Sequence, residues 1–329
     1  RPVSKARRTV SGGKDVLGER CGLRDWINVR SVALPEDTVV AVGKFDGEHR
    51  GHQKIIATML TVARKQGLKT AIFTFGTPPA AVVSGQRRPQ ILTNEERRER
   101  LHQAGIDYIV EYPFDAEIAA MDGEDFVREI LLGAMRMRAI VGGEDLRFGK
   151  AGAVNAAKLK SLGERLHFSV YIIQKETEAG EEISSSLIRE ALAAGDMAKA
   201  NTLLGMPYTA EGVVQHGNGI GNRILGFPTI NLLLPAGKLL PRRGVYQTET
   251  VLPDGRTFRS ITNVGTNPSV EQDHLSHRLR LESFLLDFSG NLYDTRVRLR
   301  FLRFIRPEKK FVSLTALKQQ IMADLSSID

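Results

Sequence analysis

The stretch Thr38-Val39-Val40-Ala41-Val42-Gly43-Lys44-Phe45-Asp46-Gly47-Glu48-His49-Arg50-Gly51-His52 decides the fold of the first half of this chain. Thr38–Phe45 is almost continuously apolar, as a strand covered on both faces would be. Gly51–Gln66 then has the character of a helix, and Gly67 stands where a left-handed C′ residue belongs. A strand that passes through glycines into a helix offers free amides and a positive dipole end, which together suit phosphate. Gly43, Gly47 and Gly51 let a ligand approach the backbone closely. His49 and His52 are three residues apart, so both imidazoles can face one side of the first helical turn. Beside a triphosphate they can donate to oxygens that gain charge during phosphoryl transfer. Helix-capping or surface histidines are the plainer alternative, and their placement at a strand-to-helix turn argues against it.

Outward from this stretch the alternation of strand and helix continues. Lys69–Phe75 reads as a strand, and Thr93 caps a helix over Asn94–Ala104, with Glu96 completing a capping box and Gly105 closing it. Tyr108–Tyr112 follows as a strand, Gly123–Met135 as a helix and Ala139–Gly142 as a strand. This order predicts an α/β fold, a Rossmann-like, doubly wound parallel sheet with ligands at the carboxyl ends of its strands. Further on, Ile183-Ser184-Ser185-Ser186-Leu187-Ile188-Arg189 opens a helix over Leu187–Ala194. Three hydroxyls with exposed amides form a phosphate cradle, to which Arg189 adds a planar charged fork. An ordinary serine cap is the alternative, and pairing with the histidine turn favours the cradle.

Near Gly205-Met206-Pro207 the character changes. Short strands are expected at Thr209–His216, Thr229–Leu234, Gly244–Leu252, Thr257–Val264, Arg278–Phe288 and Thr295–Phe304. Pro253-Asp254-Gly255 and Ser289-Gly290-Asn291 read as hairpin turns. Such a series suggests a small antiparallel β-barrel. Ser313 can cap a final helix, Leu314–Leu325, with Leu314, Leu317, Ile321 and Leu325 on one face. Three parts are therefore expected: a basic, flexible arm over residues 1–30, an α/β domain over 31–205 and a barrel over 206–329.

Within the barrel half, Gly217-Asn218-Gly219-Ile220-Gly221 and Gly226-Phe227-Pro228 permit turns whose amides can wrap a polyphosphate. Thr229 and Asn231 fall on one face of a strand, and their oxygens are hard ligands suited to Mg²⁺. A hairpin with polar surface residues would look similar. Glu282 is a charge within the apolar run Leu281–Phe288, a placement that asks for a task such as general-base work.

Composition bounds the remaining classes. Of the +8 formal charge, +5 lies in residues 1–30, leaving +3 on the other 299. The body is thus nearly neutral, and with 6% aromatic residues it has no interleaved basic and aromatic platform for nucleic acid. The arm suits a flexible segment or a targeting remnant, and its low apolar content favours the former. No apolar run approaches the ~20 residues of a membrane-crossing helix, so no membrane partner is expected. Cys21 is the only cysteine, which rules out an intramolecular disulfide and makes a reducing, cytoplasmic setting the default.

The histidine turn and the Ser-Ser-Ser-x-x-Arg segment resemble those of the nucleotidyltransferase superfamily. Val141-Gly142-Gly143-Glu144-Asp145-Leu146-Arg147-Phe148-Gly149 is similar to the flavin-site segment of the bacterial bifunctional riboflavin kinase/FAD synthetase (FMN adenylyltransferase) family. The ordered series Gly226–Asn231, Gly244-Val245-Tyr246, Asn263–Pro268, Leu281–Phe288 and Ile305-Arg306-Pro307-Glu308 resembles the riboflavin kinase barrel of that family. Where the family shows Phe-x-Pro-His-Pro, this chain has Phe75-Gly76-Thr77-Pro78-Pro79.

The resemblance implies phosphorylation of riboflavin to FMN on the barrel, and adenylylation of FMN to FAD, with pyrophosphate release, on the sheet. It implies ATP, riboflavin and FMN as small-molecule substrates, FAD as product and Mg²⁺ as metal. His49 and His52 would steady the ATP phosphates, with Gly43, Phe45, Asp46, Gly47 and Gly51 around them. Ser184, Ser185, Ser186 and Arg189 would hold the same phosphates from the other side, and Asp145 would belong to the flavin segment. On the barrel, Gly217, Gly221, Gly226, Pro228 and Arg306 would bind cofactor, Thr229 and Asn231 the metal, and Glu282 would be the general base. The runner-up is a chain with one working module, FMN adenylyltransferase alone. A nucleic-acid-binding barrel joined to a nucleotide sensor is the contrasting class.

Overall fold

The computed structural model describes residues 24–77, 82, 85, 88–216, 229–266, 279–309 and 311–328. Six strands form the first sheet: β1 (Arg24–Ile27), β2 (Thr38–Val42), β3 (Lys69–Phe75), β4 (Tyr108–Tyr112), β5 (Met137–Gly143) and β6 (Ser169–Ile173). Their order is β1-β4-β3-β2-β5-β6, and every pairing is parallel. The chain moves from β2 to β3 and β4 on one side and returns to β5 and β6 on the other. The winding therefore reverses beside β2, and a doubly wound sheet opens its ligand crevice at such a point.

Part of the stretch expected as a flexible arm, residues 1–30, is ordered in the sheet. Arg24–Ile27 is an edge strand, with Arg24 opposite Tyr108 and Ile27 opposite Glu111. His102 and Arg98 reach Asp25 from a neighbouring helix and anchor the strand. Residues 1–23 lie outside the described part. β2 stops at Val42, short of the expected Phe45, because Phe45 takes a left-handed φ of 49°.

Helices cover both faces of the sheet. α1 (Arg50–Gln66) ends on Gly67 at φ 66°, a conformation that a glycine adopts without steric cost. α2 (Asn94–Gln103) starts at the capping box: Thr93 Oγ1 accepts from the Glu96 amide, and the Glu96 carboxylate accepts from the Thr93 amide. α3 (Ala116–Ala120) is short, and the one-turn helix α4 (Gly123–Asp125) runs straight into a π-helix, Phe126–Ala134. An ordinary α-helix was expected there. Gly133 accommodates the wider turn, since a Cβ there would stand 3.2 Å from the Arg128 carbonyl. α5 (Ala156–Leu166) precedes β6, and a two-stranded ribbon, β7 (Thr177–Glu178) and β8 (Glu181–Glu182), follows it. α6 (Ser185–Ala194) and α7 (Met197–Leu204) then lead into the second fold.

That fold is a closed antiparallel barrel in the order β10-β13-β12-β11-β14-β9. Its strands are β9 (Tyr208–Gln215), β10 (Thr229–Leu233), β11 (Gly244–Val251), β12 (Thr257–Thr266), β13 (Leu279–Leu285) and β14 (Arg296–Arg306). Apolar side chains such as Tyr246, Leu281 and Phe301 fill its interior. Thr248, Thr250, Ser260, Thr262 and Ser283 are also buried, and their hydroxyls bond one another in a chain, so none is left unpaired. α8 (Leu314–Ser326) lies outside against Val245 and Ile261, with Arg306 forking onto Asp324.

One core crosses the boundary between the folds. Ile188, Leu192, Met197, Leu203 and Leu204 of α6 and α7 belong to the same apolar cluster as Tyr208, Tyr246 and Phe301 of the barrel.

Candidate active sites on the sheet and the barrel

The seven residues from Gly43 to His49 connect β2 to α1 at the reversal of the winding. Phe45, Gly47 and Glu48 all have positive φ (49°, 97° and 46°), so the turn is strongly curled. Phe45 is buried, and a Cβ on Gly43 would sit 3.1 Å from its ring, a tight contact that glycine avoids. His49 is the N-cap of α1 yet makes no capping bond, and the first turn of α1 carries no acidic residue. The helix amides and dipole are therefore left for an anion.

The two imidazoles stack with centroids 3.8 Å apart and planes at 25°. The Nδ1 atoms of both are shielded from solvent and have no protein partner. Burial pulls the His49 imidazolium down to about 4, against the weaker attraction of Asp145 and Asp46. His52 is driven well below the usual histidine range, first by burial and then by His49. Two neutral rings at ordinary pH each keep one N–H to give to a ligand oxygen.

α6 approaches the same place. Ser184 caps it through the Leu187 amide, and the Ser185 hydroxyl donates to the Asp46 carbonyl at 2.8 Å. The serine segment and the histidine turn are thus in direct contact. They share a cavity of about 760 Å³ with Gly43, Phe45, Gly51, Asp145 and Lys44. Phe75, Phe114, Ile118, Phe126, Leu146 and Phe148 also line it, and Phe75 packs on Phe114 as Phe126 does on Phe148.

Four expected contacts stand elsewhere. Ser186 is exposed on α6 and is not among the cavity-lining residues. Gly47 packs on Ile91 instead, and its φ of 97° fits the turn rather than a ligand wall. Arg189 donates to the Asp46 carboxylate and to the Pro89 carbonyl, so this pair fastens α6 to the turn from behind. Asp46 further accepts from the amides of Ile91 and Leu92 at 2.8 and 3.3 Å.

The sequence reading missed Lys44 and the aromatic wall. Lys44 is within the decisive turn and was open to inference. Phe114 and Phe126 come from segments whose facing is set only by the sheet. In the Phe75–Pro79 segment, Phe75 lines the cavity and the Gly76 carbonyl accepts from the Asn94 side-chain amide at 2.7 Å. Pro78 and Pro79 lie outside the described residues.

On the barrel, strand register assembles a second polar group. Asn231 of β10 is opposite Glu282 of β13, and Glu282 is opposite Asn263 of β12. Opposite residues share a face, so the three form a row across the barrel wall. Thr229 faces the same way, two residues from Asn231. Glu308 reaches over the row to accept from Asn263 at 3.3 Å, above Gly265, where a Cβ would lie 2.1 Å from its carboxylate. Glu282 stays open to solvent on one side, and the partial loss of water around its carboxyl raises it above the usual range, as suits a proton acceptor. Asn263 and Glu308 join the group only through register and fold. Arg306, expected at the cofactor, holds Asp324 of α8. Gly217, Gly221, Gly226 and Pro228 lie outside the described residues.

Comparison with known proteins finds a family for each fold. A family described as FAD synthetase matches residues 31–187, and one described as riboflavin kinase matches residues 204–329. A bifunctional riboflavin kinase/FMN adenylyltransferase of Listeria monocytogenes is 34% identical over 87% of this chain and 90% of its own length. The protein of that name from Escherichia coli is 33% identical over 89% of this chain and 92% of its own. A crystal structure from Streptococcus pneumoniae, titled a macrolide-efflux protein, superposes with a TM-score of 0.81 at 29% identity, covering 93% of this chain and 98% of that one. Among the described residues here, no helix is long and apolar enough to cross a membrane. With relatives aligned across both folds and a matching family for each, the chain belongs to the bifunctional riboflavin kinase/FMN adenylyltransferase family.

Proposed function

We infer that this chain makes FAD from riboflavin in two ATP-dependent transfers, one on each fold. On the barrel (residues 206–329), the riboflavin hydroxyl attacks the γ-phosphorus of ATP. Glu282 takes the hydroxyl proton, and FMN and ADP are formed. On the sheet (residues 31–205), a phosphate oxygen of FMN attacks the α-phosphorus of a second ATP, and the bond to pyrophosphate breaks.

The observation that carries the sheet assignment is the make-up of one cavity. Its lining combines two uncharged imidazoles and two helix starts with a cluster of aromatic side chains in mutual contact, Phe73, Phe75, Phe114, Phe126 and Phe148. That combination suits a substrate pair with polyphosphate and a flat apolar ring. His49, His52, Ser184 and Ser185 are assigned to the polyphosphate, and Phe75, Phe126 and Phe148 to the ring. Asp46 and Arg189 hold the turn. On the barrel, Thr229 and Asn231 beside Glu282 offer hard oxygens that fit Mg²⁺. The nucleotide phosphates, whose charge the ion neutralises, would supply its further ligands. A cytoplasmic setting accords with the single cysteine.

Incubation with riboflavin, ATP and Mg²⁺, followed by chromatographic separation of flavins, tests this reading. FMN should appear first and FAD after it. FAD made from supplied FMN while riboflavin stays untouched would leave the adenylyltransferase alone. FMN without FAD would leave only the kinase, and neither product would overturn the reading.

A further inference from the structure

We propose that Lys238, which lies on the kinase barrel between β10 and β11, is a positioning residue for the adenylyltransferase site on the other fold. The proposal rests on the reading of the histidine turn as that site.

Lys238 leaves the barrel and is buried in the sheet domain. Its side chain is 1% exposed, and its partner Glu96 on α2 is 2% exposed. The ammonium has three protons to place. Two go to the Glu96 carboxylate and the Ile91 carbonyl, each at 2.8 Å. The nitrogen also sits 4.9 Å from the centre of the Tyr208 ring, and the Tyr208 hydroxyl donates to the Leu239 carbonyl. A fully desolvated charge with this many partners holds its neighbours far more tightly than a surface ion pair does.

What Lys238 grips is the segment that supports the histidine turn. Gln90 exchanges backbone hydrogen bonds with Gly237 and Leu239, at 2.7 and 2.8 Å, so barrel and segment run side by side. From the opposite side of that segment, the Ile91 and Leu92 amides donate to the Asp46 carboxylate. Ile91 also packs under Gly47, where a Cβ would find it at 3.2 Å. Arg97, next to Glu96, donates to the Lys44 carbonyl at 3.3 Å. Lys44, Asp46 and Gly47 all belong to the turn that ends at His49. Residues 90–97 are therefore held between the barrel lysine and the phosphate turn, with one layer of backbone separating them. The Ser185 hydroxyl bond to Asp46 extends the support to the start of α6.

The dependence runs one way. Lys238 touches none of Thr229, Asn231, Asn263 or Glu282 by hydrogen bond or ion pair, whereas both of its hydrogen bonds enter the sheet domain. Its loss should harm the reaction of the domain it does not belong to.

The test uses the full chain with Lys238→Met, Glu96→Gln and the double variant, assaying FMN to FAD and riboflavin to FMN separately. The double variant leaves no buried uncompensated charge, and the side-chain carbonyl introduced by Glu96→Gln can still accept from the Thr93 amide. It therefore covers the case in which Lys238→Met alone does not fold. Expected is a fall of about tenfold in kcat for FAD formation, an FMN KM within twofold of the wild type, and riboflavin phosphorylation within twofold. The double variant should lose no more than Lys238→Met, because the two side chains act as one unit. Unchanged FAD formation in the folded double variant would overturn the proposal. So would an equal fall of both activities, which marks a purely structural role. A wild-type chain that makes no FAD from FMN and ATP would instead sink the reading of the site itself.

Discussion

Acidification should unfasten the sheet domain through His49. The buried imidazole has its folded-state value lowered from 6.5 to about 4, so the unfolded chain binds a proton that the folded chain refuses. Stability is therefore fully present above pH 6.5 and is lost as pH falls toward 4, because unfolding then takes up a proton. Between pH 7 and pH 5 the linkage amounts to about 2 kcal/mol for this one group. His52 adds in the same direction. His102 works oppositely: burial alone would lower its value, but the Asp25 carboxylate and the Ile106 carbonyl raise it. Its contribution is present at low pH and lost as pH rises. Urea unfolding of the wild type and of His49→Gln at the two pH values separates these effects, since His102 is common to both and His52 keeps the larger, burial-driven part of its shift. The single tryptophan, Trp26, packs edge-on against Tyr108 in the sheet, so its fluorescence reports this domain. The variant should lose about 2 kcal/mol less than the wild type on going to pH 5. Parallel losses in the two proteins would refute the assignment of a buried, neutral His49.

Other outcomes follow from the two sites and their supports. His49→Ala with His52→Ala should abolish FAD formation and spare FMN formation; equal loss of both in a folded protein would contradict separate sites. Glu282→Gln should slow riboflavin phosphorylation by ~10²–10⁴, the usual worth of general-base transfer, with FAD formation from supplied FMN intact. Arg306→Ala strands the buried carboxylate of Asp324 and should cost about 3 kcal/mol in chemical denaturation. Arg306→Met with Asp324→Leu should recover most of that. Gly149→Ala puts a Cβ 2.5 Å from the Gly123 backbone at a φ of 75°, and should raise the FMN KM by displacing Phe148.

What could be read from the chain alone was whatever is local. The Thr93–Glu96 capping box and the Gly67 stop depend on residues within a few positions of each other, and both stand as expected. Glu282 stood out because a charge in an apolar strand is conspicuous. What escaped depends on distant partners. β1 is a four-residue edge with two charges, and only its pairing with β4 makes it a strand. Arg189 has the composition of a phosphate fork, yet its carboxylate partner lies 143 residues earlier. Asn263 and Glu308 join the kinase row through strand register, which composition does not reveal. The π-helix at Phe126–Ala134 differs from an α-helix only in which carbonyl each amide chooses.

The apolar cluster that α6 and α7 share with the barrel bears on how such enzymes can be recombined. A chimera joined at Gly205, where the sequence changes character, would cut Leu203 and Leu204 away from Tyr208 and Phe301 and expose both faces. A junction placed before Ser184 carries the two helices along with the barrel they pack on. It also transplants the serine cap, so exchanging kinases between relatives would hand the recipient sheet a foreign half of its phosphate grip.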